Sequence, residues 1–498
     1  MSTFASFAQL SKKIKAYQYA LQVIGWDSNT EAPKEAFPYR AEMQGILSGE
    51  AFALSTSPEY VSLIEALLDA PEGLSDLELK QLKKAHKSLQ KIVKIPMEDY
   101  VAYQKHTALA QRVWEEARAT NDYQAFKPVL EKTIEMQKKF VSYRSAGADP
   151  YNVLLDDYEE GMTMETYDRF FAAIKEELVP FVKEIIAAQG EKPAFIDLHY
   201  PKAKQKEFVE YLNEIFHYDL NRGLLKESVH PFTWNTHSKD VRYTVRYLEN
   251  FVFSSIFAGV HELGHALYEM QVDESLDGTN LKNGASMGIH ESQSRFYENV
   301  IGRSEAFWKA HYSKLQSLFP EQLSTVTLKE FVRGINWVEY SFIRVEADEL
   351  TYPLHILIRY EMERAIYNDG VDLNQLPHLW NEKKKQYLGL DVQNDADGIL
   401  QDVHWSGGAF GYFPTYALGS AYAAQIYYAM QKELDIEALC VSNDLVKINQ
   451  WLKEKIHQYG STKTPEEIIF DVTGEAFDVK YYIRYLKEKY TRIFLSQS

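Results

Sequence analysis

The sequence has a single cysteine, Cys440, among 498 residues. It can form no intrachain disulfide, which fits a reducing compartment. Because Cys440 lies in an apolar helical stretch, we expect it to pack and not to act as a catalytic thiol. Glycine (24) and proline (16) are also scarce. Both residue types disrupt helix interiors, so their scarcity favours a mostly helical chain.

Segments for export or membrane insertion are missing as well. The most apolar stretch, Phe251 to Val260, is about half as long as a membrane span needs to be. The lysines near the N-terminus are not followed by an apolar stretch with a small-residue cleavage site. We therefore expect a cytoplasmic protein with no membrane partner.

Positive charge is in the minority. The chain has 54 Lys and Arg against 71 Asp and Glu, which gives a formal net charge of -17. This excess of negative charge favours solubility and disfavours nucleic acid as a main partner. Aromatic residues make up 14% of the chain, which argues against disorder.

What the sequence does contain is mostly helical periodicity. Apolar residues from Phe7 to Ile24 recur at steps of three and four, which predicts a first helix ending near Gly25. A loop is expected from Trp26 to Pro33. The lysine-rich run from Lys80 to Lys94 is typical of a solvated helix face.

The pattern changes near Pro193, where helical periodicity gives way to other signals. We expect a single domain over residues 1–498, with an N-terminal helical part at about 1–190 and a catalytic part at about 191–498. No repeat, low-complexity tract or long linker interrupts the chain.

One segment after Pro193 alternates like a strand. From Asp240 to Leu248, β-branched and aromatic residues take every second position. His230 to Thr233 is a candidate hairpin partner, although its proline suits only a sheet edge. Helical periodicity returns from Phe251 to Gln271. The sequence thus predicts a small β-sheet next to a helix.

That helix carries the most informative stretch, His261-Glu262-Leu263-Gly264-His265. Residues four positions apart lie on one face of a helix, so both imidazoles can bind the same zinc ion. Glu262 lies between them and can act as the general base toward a water molecule. The alternative is an ordinary helix that carries this combination by chance.

A catalytic zinc site needs a third protein ligand. Glu291, in His290-Glu291-Ser292-Gln293, begins another helical pattern and is far enough downstream for a turn and an antiparallel helix. Glu298 follows on about the same face and is the alternative ligand. The spacing alone leaves both open.

Seven segments together resemble the carboxypeptidase Taq family, the M32 metallocarboxypeptidases. They follow the family's order along nearly the whole chain: Trp26 to Pro33, His230 to Phe232 (HPF), Asp240 to Thr244 (DxRxT), His261 to His265 (HExxH), His290 to Gln293 (HESQ), Ile343 to Asp348 (IRxxAD) and Gly398 to Trp405 (GxxQDxHW). Only HExxH is common in isolation, so the ordered set carries the resemblance.

The resemblance implies a large, almost wholly helical body with a small sheet beside a deep, closed-ended active-site groove. It also implies the removal of single residues from peptide C-termini with broad preference, by a homodimer that uses zinc, sometimes replaced by cobalt. His261, His265 and Glu291 are the metal ligands that it implies, and Glu262 is the base.

Two tyrosines and several cations are candidates for further roles. Tyr412 and Tyr416 are candidates to donate a hydrogen bond to the oxyanion. A bidentate arginine suits a terminal carboxylate, and Arg344 is our first choice because it lies in the IRxxAD segment. Arg242 and Arg295 are the alternatives, and each arginine could instead form a structural ion pair.

Four residues are candidates for roles around the site, with structural roles as the alternative. His404 and Asp402 lie close together before Trp405 and could bind substrate or orient a ligand. His230 and His290 could orient metal ligands.

Two other functions fit the sequence. A zinc endo-oligopeptidase would use the same chemistry on internal bonds. A non-catalytic peptide-binding protein could retain the fold, but Glu262 argues against it because a binder needs no base.

Overall fold

Helices form most of the regular structure, as the composition predicts. The computed structural model describes residues 3–145 and 147–496. The helices before the sheet are α1 (Thr3–Thr30), α2 (Phe37–Ser55), α3 (Pro58–Asp69), α4 (Asp76–Gln90), α5 (Met97–Thr120), α6 (Tyr123–Arg144), α7 (Pro150–Tyr158), α8 (Met164–Ala188) and α9 (Lys202–Ile215).

A second series of helices follows the sheet. It comprises α10 (Val252–Gln271), α11 (Met287–Arg295), α12 (Glu305–Leu318), α13 (Pro320–Leu323), α14 (Leu328–Ile335), α15 (Tyr352–Arg364), α16 (Leu376–Leu388), α17 (Pro414–Met430), α18 (Ile436–Val441), α19 (Leu445–Lys455), α20 (Pro465–Thr473) and α21 (Lys480–Tyr490). One turn of π-helix, Phe296–Ile301, continues α11. Among the described residues, no helix has the length and apolarity that crossing a membrane requires.

Side-chain caps fix the start of helices that matter for the site. Ser75 accepts a hydrogen bond from the backbone N–H of Glu78, whose side chain accepts one from the backbone N–H of Ser75, and this box begins α4. Ser286 accepts a hydrogen bond from the backbone N–H of Ile289 and begins α11. Both starts follow from local sequence.

The first helix is longer than predicted. It continues through Gly25 to Thr30, so the loop predicted from Trp26 is wrong at its start. Trp26 is only 5% exposed because it packs on the aromatic rings of Phe232 and Trp234 near the sheet. This tertiary contact favours a helical continuation that the interrupted apolar stripe did not predict.

Within the described part of the chain, the sheet has three strands, β1 (Gly223–Glu227), β2 (Thr233–His237) and β3 (Asp240–Val245), in the order β1-β3-β2. β3 pairs in parallel with β1 and antiparallel with β2. The predicted strand is confirmed over Asp240–Val245. The hairpin partner predicted at His230 to Thr233 is wrong in its bounds, since β2 begins only at Thr233, and β1 was not predicted. In the central strand Val241, Tyr243 and Val245 are fully buried, and β3 packs against α10.

Most buried apolar side chains of the described residues belong to one of two cores. The larger extends from Trp114 on α5 to Phe494 beyond α21 and includes β3. The smaller belongs to α1, α3 and α4, with Ile64 and Leu82 completely buried. These N-terminal helices therefore pack as a layer of their own beside the main body. The division expected near residue 190 stays a prediction.

Candidate active site

Glycines bring the helices of the site into close contact. A β-carbon on Gly264 of α10 would lie 2.8 Å from Cα of Ser294 and 2.9 Å from the backbone oxygen of Gln293, both on α11. A β-carbon on Gly419 of α17 would lie 2.6 Å from Cβ of Glu291. The absence of side chains at both glycines lets α11 lie between α10 and α17, with Glu291 directed at the two histidines of α10.

His261, His265 and Glu291 form one cluster. Their ligand atoms all lie within 4.8 Å of one another. Oε2 of Glu291 lies 3.6 Å from Nε2 of His261 and 3.5 Å from Nε2 of His265. Two imidazole nitrogens and one carboxylate oxygen form a donor set that zinc accepts in catalytic sites. The residues present therefore fit a divalent metal ion.

Burial and charge prepare these donors. Burial lowers the pKa of His265 to about 3, so its imidazole is neutral and able to act as a ligand. Burial opposes ionisation of Glu291, yet the charges of Arg295 and His261 hold the pKa of that carboxyl well below its usual range. Nε of Arg295 donates to Oε1 of Glu291 at 2.7 Å, which leaves Oε2 toward the histidines.

The alternative ligand, Glu298, lies behind the cluster. Its Oε2 is 3.0 Å from Nδ1 of His261, the nitrogen that faces away from Glu291. Arg295 and Arg303 both donate to Glu298, at 3.2 and 3.3 Å. Glu298 thus orients His261 from the far side, and the π-helical turn gives it this place.

A parallel chain of contacts orients His265. Nδ1 of His265 lies 2.6 Å from Nδ1 of His290, and Nε2 of His290 lies 2.8 Å from Oε1 of Glu269. Asn235 of β2 and the backbone N–H of Gly284 also donate to Glu269. His290 therefore connects a candidate ligand to a buried carboxylate, as a ligand-orienting residue would.

Glu262 is held by the sheet. The hydroxyl of Thr233, at the start of β2, donates to Oε2 of Glu262 at 2.7 Å and also lies 2.7 Å from its backbone oxygen. Glu262 is 8% exposed and lines the same cleft as the three candidate ligands. Burial raises the pKa of Glu262, although the charge of His261 opposes this shift.

Tyr412 and Tyr416 also line this cleft. Their rings meet edge to face with centroids 5.1 Å apart, and Tyr158 meets Tyr412 in the same way at 5.1 Å. Gly411 has a φ of 88°, and its backbone N–H donates to the buried carboxylate of Glu363 at 2.8 Å. This turn directs the following tyrosine into the cleft.

Arg344 lies behind the tyrosines in a buried ionic network. It is 7% exposed, and its Nε donates to Oδ1 of Asp402 at 3.1 Å. Arg359 donates to the other oxygen of Asp402 at 2.8 Å. The guanidinium of Arg344 lies 5.1 Å from the ring centroid of Tyr416. His404 packs on Phe413 with centroids 4.5 Å apart.

Arg242 lies away from the ligand cluster, on β3. It pairs with Asp240 at 2.6 Å, and its guanidinium lies 4.8 Å from the ring centroid of Trp234 and 5.6 Å from that of Trp26. These contacts join α1 to the sheet. Neither Arg242 nor Arg344 is among the residues that line the cleft described next.

The cleft has a volume of about 740 Å³ and is lined from both sides. One side carries the candidate ligands and Glu262. The other includes Lys84, Lys87 and Lys91 in and just after α4. The interpretation of this lysine run as a solvated face therefore holds only in part for these three residues, which are partly exposed and also line the cleft.

Sequence reasoning missed Thr233 and the α4 lysines as site residues. A polar residue beginning a strand beside the HExxH helix was an available signal for Thr233. No local signal marked the lysines, since their position depends on how α1, α3 and α4 pack beside the body.

Comparisons with known proteins extend over the full length. The model of the family described as carboxypeptidase Taq (M32) metallopeptidase matches residues 6–490. Carboxypeptidase 1 of Bacillus subtilis (strain 168) is 46% identical over 492 residues, which are 98% of this chain and 98% of that protein. Thermostable carboxypeptidase 1 of Pyrococcus furiosus is 37% identical over 489 residues, 96% of each chain. The crystal structure of M32 carboxypeptidase from Deinococcus radiodurans R1 matches with a TM-score of 0.96 at 34% identity, covering 100% of both chains.

Proposed function

Because this chain belongs to the carboxypeptidase Taq (M32) family of metallopeptidases, we propose that it is a zinc-dependent carboxypeptidase that removes single residues from the C-termini of peptides with broad preference. The observation that carries the proposal is the cluster of His261, His265 and Glu291 in one cleft with Glu262. Three protein donors, with a candidate base beside them, are what a catalytic zinc site needs.

His261, His265 and Glu291 would hold the metal. A zinc ion bound there supplies Lewis acidity, which polarises a peptide carbonyl and acidifies water, and cobalt is the expected substitute. Glu298 and His290 contact the outward nitrogens of the two histidines and so fix the direction in which each ring points.

Glu262 would carry the proton transfers. Thr233 donates to Oε2 of Glu262, and Glu262 lines the cleft. Glu262 takes a proton from the water that attacks the scissile carbonyl carbon. When the carbon–nitrogen bond breaks, Glu262 gives that proton to the leaving amine. Thr233 keeps the carboxylate in place for both transfers.

Tyr412 and Tyr416 would stabilise the oxyanion. Both hydroxyl-bearing side chains line the cleft that holds the candidate ligands. A hydroxyl that donates a hydrogen bond to the developing negative charge accelerates acyl transfer most when it is already in position. The edge-to-face contact between the rings holds each against the other.

Arg344 remains our candidate among the arginines for the terminal carboxylate. Its guanidinium lies next to the ring of Tyr416, which itself lines the cleft. Because Asp402 already engages it, a substrate carboxylate would share the guanidinium with this aspartate. Arg242 and His404 are further substrate-binding candidates, each with a packing contact in this structure. The homodimer and the cytoplasmic location stay predictions.

The experiment is cleavage of one short peptide, prepared with a free and with an amidated C-terminus, by the zinc-loaded protein. We expect stepwise loss of C-terminal residues from the free peptide only. Glu262→Gln, which keeps the size of the side chain, serves as the matched control and should show no such loss. Internal cleavage of both peptides would instead indicate an endo-oligopeptidase, and zinc binding without cleavage would indicate a peptide-binding protein.

A further inference from the structure

Three lysines in and just after α4 line the cleft, and they differ in whether they form ion pairs. Lys87 pairs with Glu160 at 2.9 Å and lies 3.8 Å from Asp156. Lys91 pairs with Asp157 at 3.1 Å. Lys84 makes no hydrogen bond and no ion pair with any described residue, although it is only partly exposed and lines the cleft.

The position of Lys84 is fixed on both sides along its helix. One turn earlier, the backbone oxygen of Gln81 accepts a hydrogen bond from Nδ2 of Asn280 at 2.8 Å. One turn later, Lys87 pairs with Glu160 on the body. Leu82, Ala85 and Leu89, which lie on another side of α4 from Lys84, are buried in the smaller core. Lys84 is therefore directed at the cleft by the packing of α4.

None of the described carboxylates of the cleft forms an ion pair with Lys84, although the charge of Glu160 acts on it from a distance. Each of the described carboxylates that line it already accepts a hydrogen bond or forms an ion pair: Asp156 with Gly161, Asp157 with Arg144, Glu160 with Lys87, Glu262 with Thr233, Glu269 with His290 and Glu291 with Arg295. Burial lowers the pKa of Lys84, Glu160 opposes this shift, and the like charges of Lys87 and Lys91 add to it. A cation in such surroundings gains from an anionic partner.

We propose that Lys84 binds a carboxylate of the peptide substrate. This assignment rests on the proposed peptidase function. A lysine ammonium and a carboxylate form a charge-assisted hydrogen bond without displacing any partner that Lys84 now has. Arg344 differs in this respect, because Asp402 and Tyr352 already occupy it. The carboxylate belongs either to the peptide terminus or to an acidic side chain near it.

The test is a binding measurement that needs no turnover. Labelled peptides are titrated with zinc-loaded Glu262→Gln protein, alone and combined with Lys84→Met, and binding is followed by fluorescence anisotropy. The peptides are a neutral sequence with a free terminus, the same sequence amidated, and the amidated sequence with one added glutamate. Lys83→Met is the matched control, since Lys83 is exposed on the same helix.

Lys84→Met should weaken binding of a carboxylate-bearing peptide about ten- to a hundred-fold, the loss expected for one hydrogen bond to a charged group. The neutral amidated peptide should be unaffected, and Lys84→Arg should restore much of the loss. A loss with the free neutral peptide assigns the terminal carboxylate, and a loss only with the glutamate peptide assigns the side chain. Equal binding of every peptide by the Lys84→Met and Lys83→Met proteins would overturn the proposal.

The two proposals fail separately. Should the cleavage assay show no carboxypeptidase activity, the anisotropy titration still reports whether Lys84 contacts a carboxylate. If Lys84→Met leaves peptide binding unchanged, the cleavage assay on the wild-type protein still tests the carboxypeptidase proposal.

Discussion

Glu298 lies 3.0 Å from the outward nitrogen of His261, in a contact that joins the candidate metal ligands to Arg295 and Arg303. A carboxylate in this place holds the imidazole in the tautomer and orientation that a metal ligand needs. Glu298, which the spacing alone offered as an alternative ligand, instead contacts the far side of the His261 ring.

Glu298→Gln should weaken metal binding by about ten- to a hundred-fold, because an amide orients His261 less well than a carboxylate. The zinc affinity is measured by competition with a chromophoric chelator. Glu291→Gln, which alters a proposed ligand, should weaken binding further. Equal zinc affinity of the Glu298→Gln and wild-type proteins would show that His261 is oriented without this contact.

Gly264→Ala should damage the site through packing. Its β-carbon would lie 2.8 Å from backbone on α11, so the helix that carries Glu291 must move away from α10. We expect a loss of about 1–3 kcal/mol in the free energy of unfolding, together with weaker zinc binding. Urea denaturation and zinc titration measure the two effects.

Gly45→Ala, inside α2, is the matched control for that prediction. A β-carbon at Gly45 meets nothing within 4 Å, so alanine should stabilise the helix by up to about 1 kcal/mol. If the Gly264→Ala protein behaved like the Gly45→Ala protein, close packing between α10 and α11 would not be what places Glu291.

Asp402→Asn should be strongly destabilising. Asp402 is the counter-charge of Arg344 and Arg359, which are 7% and 0% exposed. Removing one partner from a buried ionic network costs about 3–5 kcal/mol, because the remaining charge is left uncompensated. Asp391→Asn, which alters an ion pair of two largely exposed side chains, should change stability by less than about 1 kcal/mol. Similar unfolding midpoints for both variants would contradict this reading of the network.

Glu159 should make stability depend on pH. Its buried carboxylate accepts hydrogen bonds from Gly288 and Ser286 at the start of α11, yet burial outweighs them and raises its pKa from 4.5 to about 7. The folded protein therefore keeps a proton that the unfolded chain releases between pH 4.5 and 7. This group's contribution to stability falls as the pH rises through that window.

Glu159→Gln removes this titration while keeping an acceptor for Gly288. Compared with wild type, its free energy of unfolding should rise by about 3 kcal/mol between pH 4.5 and pH 7.5. Urea denaturation across this range measures the difference. For Glu165→Gln, at an exposed position, the free energy of unfolding should change with pH as it does in wild type. Parallel curves for Glu159→Gln as well would mean that folding does not raise the pKa of Glu159.

Local sequence predicted the parts of the site that depend on helical spacing. His261 and His265 share a helix face because they are four residues apart, and the helix from Val252 to Gln271 confirms that expectation. The alternation over Asp240 to Leu248 predicted β3, because a period of two residues is also a local signal. β1 was missed because Gly223–Glu227 has no alternation of buried and exposed residues.

The remaining features depend on contacts between distant segments. The choice between Glu291 and Glu298 turns on how α11 and its π-helical turn lie against α10, which no local pattern records. Trp26 extended α1 only because rings near the sheet cover it. Lys84 lines the cleft because the packing of α4 in the smaller core places its side chain beside the main body.

The most direct test of the central claim is a zinc titration of the metal-depleted protein, with C-terminal release from a free peptide followed by mass spectrometry. The account predicts no release without metal, and release that rises with zinc until one ion is bound per chain. Glu262→Gln should bind the same amount of zinc and release nothing. Equal release by the metal-depleted and zinc-loaded proteins would contradict the account.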